Sequence, residues 1–257
     1  MPLSSHAQTH RGTVRKINED AFLELPQLGI WVVADGMGGH AAGDVASQLV
    51  IDTIQQAVEH CTMDQLDIDT LKNALQESNQ KLQRMSETQF SGNVVGSTVV
   101  VLWVNDNHYS LLWVGDSRGY LLRDNKLQQI TKDHSQVNDM VDEGILRKEE
   151  AESHPLANVI TRAVGVDAKL DVDVITEELK LGDVLLLCSD GLNKEVSDIE
   201  IEKALQPGNI IDAGMALMHA SLVRNARDNV TCIIVKNNLA ESSAIYDNDD
   251  ATIPVFT

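Results

Sequence analysis

Apolar positions along this chain repeat with two periods. Ala46, Leu49, Val50, Thr53, Ile54, Ala57 and Val58 recur at the spacing of one helix face, and Leu71, Leu75, Leu82 and Met85 do the same after a candidate cap at Asp69. Two long helices are therefore expected within 46–85. Shorter apolar runs at 21–23, 30–34, 97–104, 109–114, 119–123, 126–130, 170–176, 183–188 and 230–235 have the length and β-branched content of strands. Asn105-Asp106-Asn107 and Asp124-Asn125 supply the turns of two hairpins. A further helix covers 210–223, whereas 135–154 is polar and helical, too poor in apolar residues to form core. Strand blocks broken by helix pairs, without regular β-α alternation, predict an α+β fold of stacked antiparallel sheets with helices outside.

The ends of these strands carry acids. The run Ile30-Trp31-Val32-Val33-Ala34 stops at Asp35-Gly36-Met37-Gly38-Gly39-His40. Leu111-Leu112-Trp113-Val114 leads into Gly115-Asp116-Ser117-Arg118, and Leu185-Leu186-Leu187-Cys188 into Ser189-Asp190-Gly191. At the other end of a strand, Asp228-Asn229 precedes 230–235, and Asn18-Glu19-Asp20 precedes 21–23. Each alone reads as a turn or cap residue. Five such acids at strand boundaries can converge on one edge of a sheet, and glycines beside them let the backbone approach a ligand closely.

Composition narrows the chemistry. The 257 residues carry a formal charge of −19, with no basic stripe, which argues against a nucleic-acid or anionic-membrane partner. The first residues lack the charged start and apolar core of a signal peptide, and no apolar run reaches the roughly 20 residues needed to span a bilayer, so a cytoplasmic protein is expected. Cys61, Cys188 and Cys232 show no paired spacing, and the latter two read as strand core. Gathering carboxylates is costly: two like charges about 4 Å apart repel by about 4 kcal/mol at an effective dielectric near 20. A cation must compensate. Lys and Arg near these acids are few and His lacks a ligand pattern, so oxygen ligation of magnesium or manganese is favoured over zinc. Two such ions about 3.5–4 Å apart would generate hydroxide suited to attacking a phosphate ester. Arg15, just before the Glu19-Asp20 acids, is a candidate to hold phosphate oxygens.

At this point the sequence closely resembles the metal-dependent Ser/Thr protein phosphatases of the type 2C class, in their compact bacterial form. The resemblance rests on Arg15-Lys16-Ile17-Asn18-Glu19-Asp20, Ala34-Asp35-Gly36-Met37-Gly38-Gly39-His40, Gly96-Ser97-Thr98, Val114-Gly115-Asp116-Ser117-Arg118, Thr131-Lys132-Asp133-His134-Ser135, Ser189-Asp190-Gly191-Leu192 and Asp228-Asn229-Val230-Thr231. These runs occur in the family's order from about residue 11 to 235. The resemblance implies a four-layer α-β-β-α sandwich, with a catalytic domain over 1–236 and a flap at about 135–165. It implies Asp35 bridging two manganese or magnesium ions, Asp190 and Asp228 completing one, and the Gly36 carbonyl serving the other. Asp20 would act through metal-bound water with help from Glu19, and Asn229 would support the ligands. Asp116, with Asp190, would hold a third, looser ion, and Arg15 would bind substrate phosphate. The implied partners are phosphoproteins and a cognate Ser/Thr kinase, with the enzyme a monomer.

One departure concerns the proton donor. Animal members place a His directly after the Asp-Gly pair, where this chain has Met37; His40 either takes part in proton transfer or shapes the loop. The rival reading is an inert member of the same fold that binds phosphoproteins as a regulatory scaffold, and retention of Asp20, Asp35, Asp116, Asp190 and Asp228 weighs against it. A two-metal hydrolase of nucleotides is a second rival, which the acidic charge disfavours for polynucleotides. The segment 237–257 reads as an acidic, disordered tail in which Thr252 is a candidate for phosphorylation.

Overall fold

A computed structural model describes residues 3–38, 42–151 and 154–238, apart from the side chain of Lys148. Strands β1 (Leu3–His10), β2 (Asp20–Leu25) and β3 (Ile30–Met37) lead into helices α1 (Gly43–Val58) and α2 (Ile68–Gln89). Strands β4 (Gly96–Ser97), β5 (Val99–Asn105), β6 (His108–Val114), β7 (Arg118–Arg123) and β8 (Lys126–Gln129) follow. After short helices α3 (Gln136–Asp142) and α4 (Lys148–Ala151) come β9 (Asp173–Glu178), β10 (Val184–Cys188), α5 (Asp190–Asn193), α6 (Asp198–Leu205), α7 (Ile210–Val223) and β11 (Val230–Asn237).

Two antiparallel sheets result. One runs β1-β11-β10-β7-β8; the other runs β2-β3-β5-β6-β9, with β4 paired to the end of β3. Strand side chains alternate between faces, which sorts the apolar residues into three cores. Trp31, Val33, Val100, Leu102 and Leu111 of one sheet meet Leu185, Leu187, Ile233 and Val235 of the other in the sandwich interior. On the outer faces, Val32, Ala34 and Val101 pack under α1 and α2, while Leu186, Cys188 and Ile234 pack under α5 to α7. The fold is therefore α+β and four-layered, as the sequence implies.

The alternation also places the polar strand ends. Trp31 and Val33 face inward, so Asp35 two residues on does as well; the same parity aims Asp20 inward with Phe22, Ser189 with Leu187, and Thr231 with Ile233. All four lie at one end of the sandwich.

Several local readings need correction. β1 has no counterpart in the hydrophobic pattern, because Ser-Ser-His-Ala-Gln-Thr-His lies on an edge strand whose residues are half-buried or exposed; its pairing with β11 decides it. The cap of α2 is Asp67, whose carboxylate accepts from the Thr70 amide at 2.7 Å, and not Asp69, which lies inside the first turn. Helices α5 and α6 arise in a stretch to which the hydrophobic pattern assigned no element, the second opened by a Ser197–Glu200 capping box. β9 begins at Asp173 instead of 170, and β11 runs through Asn237, one residue into the segment assigned to the tail. Residues 239–257, Thr252 included, lie outside the described residues. Among those described, no helix is long and apolar enough to cross a membrane.

Candidate active site

Asp20 and Asp35 stand opposite each other in the β2–β3 register, a cross-strand pair of like charges that destabilises a sheet unless something offsets it. Hydroxyls hold one oxygen of Asp20: Ser189 Oγ and Thr231 Oγ1 each donate to Oδ2 at 2.7 Å. Its other oxygen is buried without a hydrogen-bond partner among the described residues. The Asp35 backbone is clamped instead, its N–H donating to Thr98 Oγ1 at 3.2 Å and its carbonyl accepting from the Thr98 N–H at 2.8 Å.

Gly36 lies where nothing larger fits. A Cβ there would come within 1.8 Å of the Gly43 carbonyl oxygen, and one on Gly43 within 2.4 Å of Glu19 Oε1. The loop carrying Arg15 and Glu19 is stapled to the start of β11 by Asn229. Its Oδ1 accepts from the Glu19 N–H at 2.8 Å, and its Nδ2 donates to the carbonyls of Arg11 and Ile17 at 3.0 Å. Asn229 thus positions a loop and does not face the acids directly.

Two cations enter the cluster. Arg15 Nη2 donates to Asp228 Oδ2 at 2.9 Å, and Lys194 bonds Asp190 Oδ2. The second qualifies the view that few cations stand near the acids: Asp190 and Lys194 are i,i+4 across the short helix α5, a spacing visible in the sequence. The hydrogen bond and charge of Asp228 raise the Arg15 guanidinium, and Asp190 raises Lys194 despite its burial.

These cations do not balance the site. Burial, then repulsion from Asp190 and Asp228, lifts Asp20 to about 7 against the hydroxyl bonds that oppose it. Burial and Asp190 lift Asp116 to about 7. Asp35 is pushed well above the carboxylate range by burial and by Asp20, Asp190, Asp116 and Asp228 together. Asp190 Oδ1, like Asp20 Oδ1, is buried with no hydrogen-bond partner among the described residues. Buried oxygens lacking donors and carboxyls held near neutrality fit a hard divalent cation, which prefers an all-oxygen set. With Asp228 turned to Arg15 and Asp190 to Lys194, no three acidic, His or Cys side chains among the described residues surround one point.

Arg15, Glu19, Asp35, Gly36, Asp116, Asp190 and Asp228 line a single cleft of about 550 Å³, together with Met37, Thr98 and Lys194. Asp20 lies just behind it. His40 lies outside the described residues. A larger hollow of about 900 Å³ opens at the opposite end of the five-stranded sheet, but its buried acid, Asp183, is neutralised by Arg123 at 2.6 Å. Chemistry, not size, singles out the smaller cleft. Sequence reasoning gave no role to Ser189, Thr231, Thr98, Gly43 or Lys194; strand parity could have aimed the first two inward but not brought them to Asp20.

A sandwich of two antiparallel sheets with acids gathered at one open end defines a class of hydrolase, and comparison with known proteins identifies the family. The family model for protein phosphatase 2C matches residues 7–230. The serine/threonine phosphatase stp of Listeria welshimeri is 37% identical over 246 residues, covering 92% of this chain and 97% of that protein. Among solved structures, PppA, a key regulatory component of T6SS in Pseudomonas aeruginosa, superposes with a TM-score of 0.80 at 39% identity, over 91% of this chain and 96% of that one. The catalytic domain of the serine/threonine protein phosphatase PstP in complex with two manganese ions gives 0.82 at 36%, over 91% and 97%. The chain belongs to the protein phosphatase 2C family, in the compact form of these bacterial relatives, and is a phosphoprotein phosphatase.

Proposed function

We propose that this chain removes phosphate from phosphoserine and phosphothreonine in proteins, using two manganese or magnesium ions in the cleft described above. The observation that carries this reading is the gathering of Asp35, Asp116, Asp190 and Asp228 around one cleft, with Asp20 behind them, and with more negative charge than Arg15 and Lys194 offset. Asp35 would be shared by the two ions, Asp190 and Asp228 would help to hold one and the Gly36 carbonyl the other, and Asp116 with Asp190 would hold a third, looser ion. When bound, the ions supply a hydroxide nucleophile near neutral pH and polarise the phosphoryl group.

The protein's own residues orient the rest. Asp20, fixed by Ser189 and Thr231, presents its free oxygen as a hydrogen-bond acceptor for water in the site. Glu19 borders the same cleft 3.8 Å from Arg15. Arg15 is half-exposed and reaches over the cleft, so its guanidinium can hold two phosphate oxygens. We further propose that it opposes a Ser/Thr kinase and works as a monomer in the cytoplasm.

The deciding experiment is hydrolysis of a phosphothreonine peptide with manganese, and again with excess EDTA. Activity is expected only with the metal, and manganese at about 100 times its dissociation constant should stabilise the fold by about 2.7 kcal/mol per site, a rise of about 5 °C or more in melting temperature. Activity that survives EDTA defeats the metal reading. Absence of any manganese binding would favour the scaffold. Substitution Arg15→Ala should raise KM for the phosphopeptide about tenfold with kcat nearly kept. An unchanged KM would remove Arg15 from phosphate binding.

A further inference from the structure

Asp190 would serve two ions in the function proposed above, yet only one of its oxygens stands free for metal. Its Oδ1 is buried with no hydrogen-bond partner among the described residues, whereas its Oδ2 takes the Lys194 ammonium. The backbone fixes this pairing. The Lys194 N–H donates to the Asp190 carbonyl at 3.0 Å, which closes the turn of α5 and brings the two side chains to the same face at i,i+4. Leu192 and Val196, on either side of Lys194, are buried. A Cβ on Gly191 would come within 1.9 Å of the Asn229 carbonyl oxygen, so α5 is pressed against the entry to β11.

Lys194 stands where two hollows meet. Asp116, Asn158, Asp190 and Lys194 line both the cleft of about 550 Å³ and a smaller hollow of about 260 Å³ beside it. The other cations lining these hollows are committed elsewhere: Arg118 chelates Asp133 and bonds Tyr120 Oη, and Arg15 turns to Asp228. Burial opposes the charge of Lys194, but Asp190, Asp116 and Asp228 together outweigh it. That charge acts in return on Asp116, which burial and Asp190 push up and Lys194 pulls down. A lysine pointing into solvent would do neither.

We propose that Lys194 is a built-in occupant of the place that the third ion would take on Asp116 and Asp190. A divalent ion arriving there meets a positive charge already bonded to one of its two carboxylates, and must displace it. The flexible four-carbon stem of lysine lets the ammonium swing out toward solvent when that happens. Lys194 thus keeps this chain a two-ion protein until the metal concentration is high enough to evict the ammonium. The inference rests on the function proposed above, since without metal there is nothing for Lys194 to exclude.

The test is manganese titration by calorimetry on the full chain, beside amine labelling without metal. In Lys194→Met, which keeps the length of the side chain and removes its charge, the weakest manganese should bind at least tenfold tighter, while the tighter ions change less than threefold. Lys194→Arg, which keeps the charge, should hold the weakest ion within threefold of wild type. In EDTA, acylation of Lys194 by an N-hydroxysuccinimide ester, followed by mass spectrometry, should run at least fivefold slower in the wild type than in Asp190→Asn. A weakest site unchanged in Lys194→Met, or a third site absent from both proteins, overturns the proposal. So does equal tightening in the two Lys194 variants, or equal acylation in the wild type and Asp190→Asn. If neither the wild type nor Lys194→Met binds manganese, the proposed function falls and the proposal with it. Two tight ions with the weakest site unmoved leave that function standing and remove only the role of Lys194.

Discussion

Replacing Asp35 with asparagine is expected to lower turnover of a phosphothreonine peptide by at least about 10³-fold while making the metal-free protein more stable at pH 8. The loss follows from the role proposed for the residue: partners outside the ligand set of metal sites already cost about 10–100-fold when removed, and Asp35 is proposed as a ligand shared by both ions. The gain in stability follows from the charge it carries. Burial and four neighbouring acids raise its folded pKa above its unfolded value, so between those values the native state holds a proton that the unfolded chain has released. Stability without metal must therefore fall as pH rises from about 4, and for Asp20 and Asp116 the fall ends near their folded values of about 7. Asparagine removes one contributor and relieves its neighbours. Thermal melts in EDTA at pH 5 and pH 8 should show a smaller loss between the two for Asp35→Asn than for the wild type. A larger loss, or turnover above a tenth of wild type, would contradict the assignment.

The second large effect is structural. In Gly36→Ala the new methyl would lie 1.8 Å from the Gly43 carbonyl oxygen and 2.8 Å from that of Glu19, both backbone atoms with nowhere to retreat. Relief requires moving the start of α1 or the Arg15–Glu19 loop, and overpacking of this kind costs about 3 kcal/mol or more. A melting temperature lowered by about 6 °C or more is expected, with activity lost disproportionately because both Glu19 and the Gly36 carbonyl are displaced. A melting curve within 2 °C of wild type, roughly the shift of under 1 kcal/mol, would show that the Gly36–Gly43 contact is loose.

Much of this site is legible before folding, for a reason that differs from residue to residue. Asp35, Asp116 and Asp190 follow continuous apolar runs, and burial of those runs leaves the acid at a core's rim whatever the partner strands are. Asp20 and Asp228 precede strands and are legible in the same way. Lys194 escaped notice because α5 has only four residues and no apolar repeat to announce it. β1 escaped because an edge strand of polar residues carries no period-two signal, and its register with β11 is a property of the pair. Asn229 read as a helper of the metal acids, whereas its amide bridges Arg11, Ile17 and Glu19, more than 200 positions away in the chain.

By itself, the sequence determined the α+β class, the strand ends that bear acids, the need for a compensating cation and the family to which the chain belongs. Alternation and apolar burial are local properties, so a linear reading can recover them. Only the tertiary structure decided which acids share a cleft, that Ser189 and Thr231 hold Asp20, that Gly36 and Gly43 abut, and that Lys194 lines the same cleft as Asp116. Those facts depend on strand order and register across two sheets, where residues far apart in the chain come within hydrogen-bond distance, and no local pattern encodes that proximity.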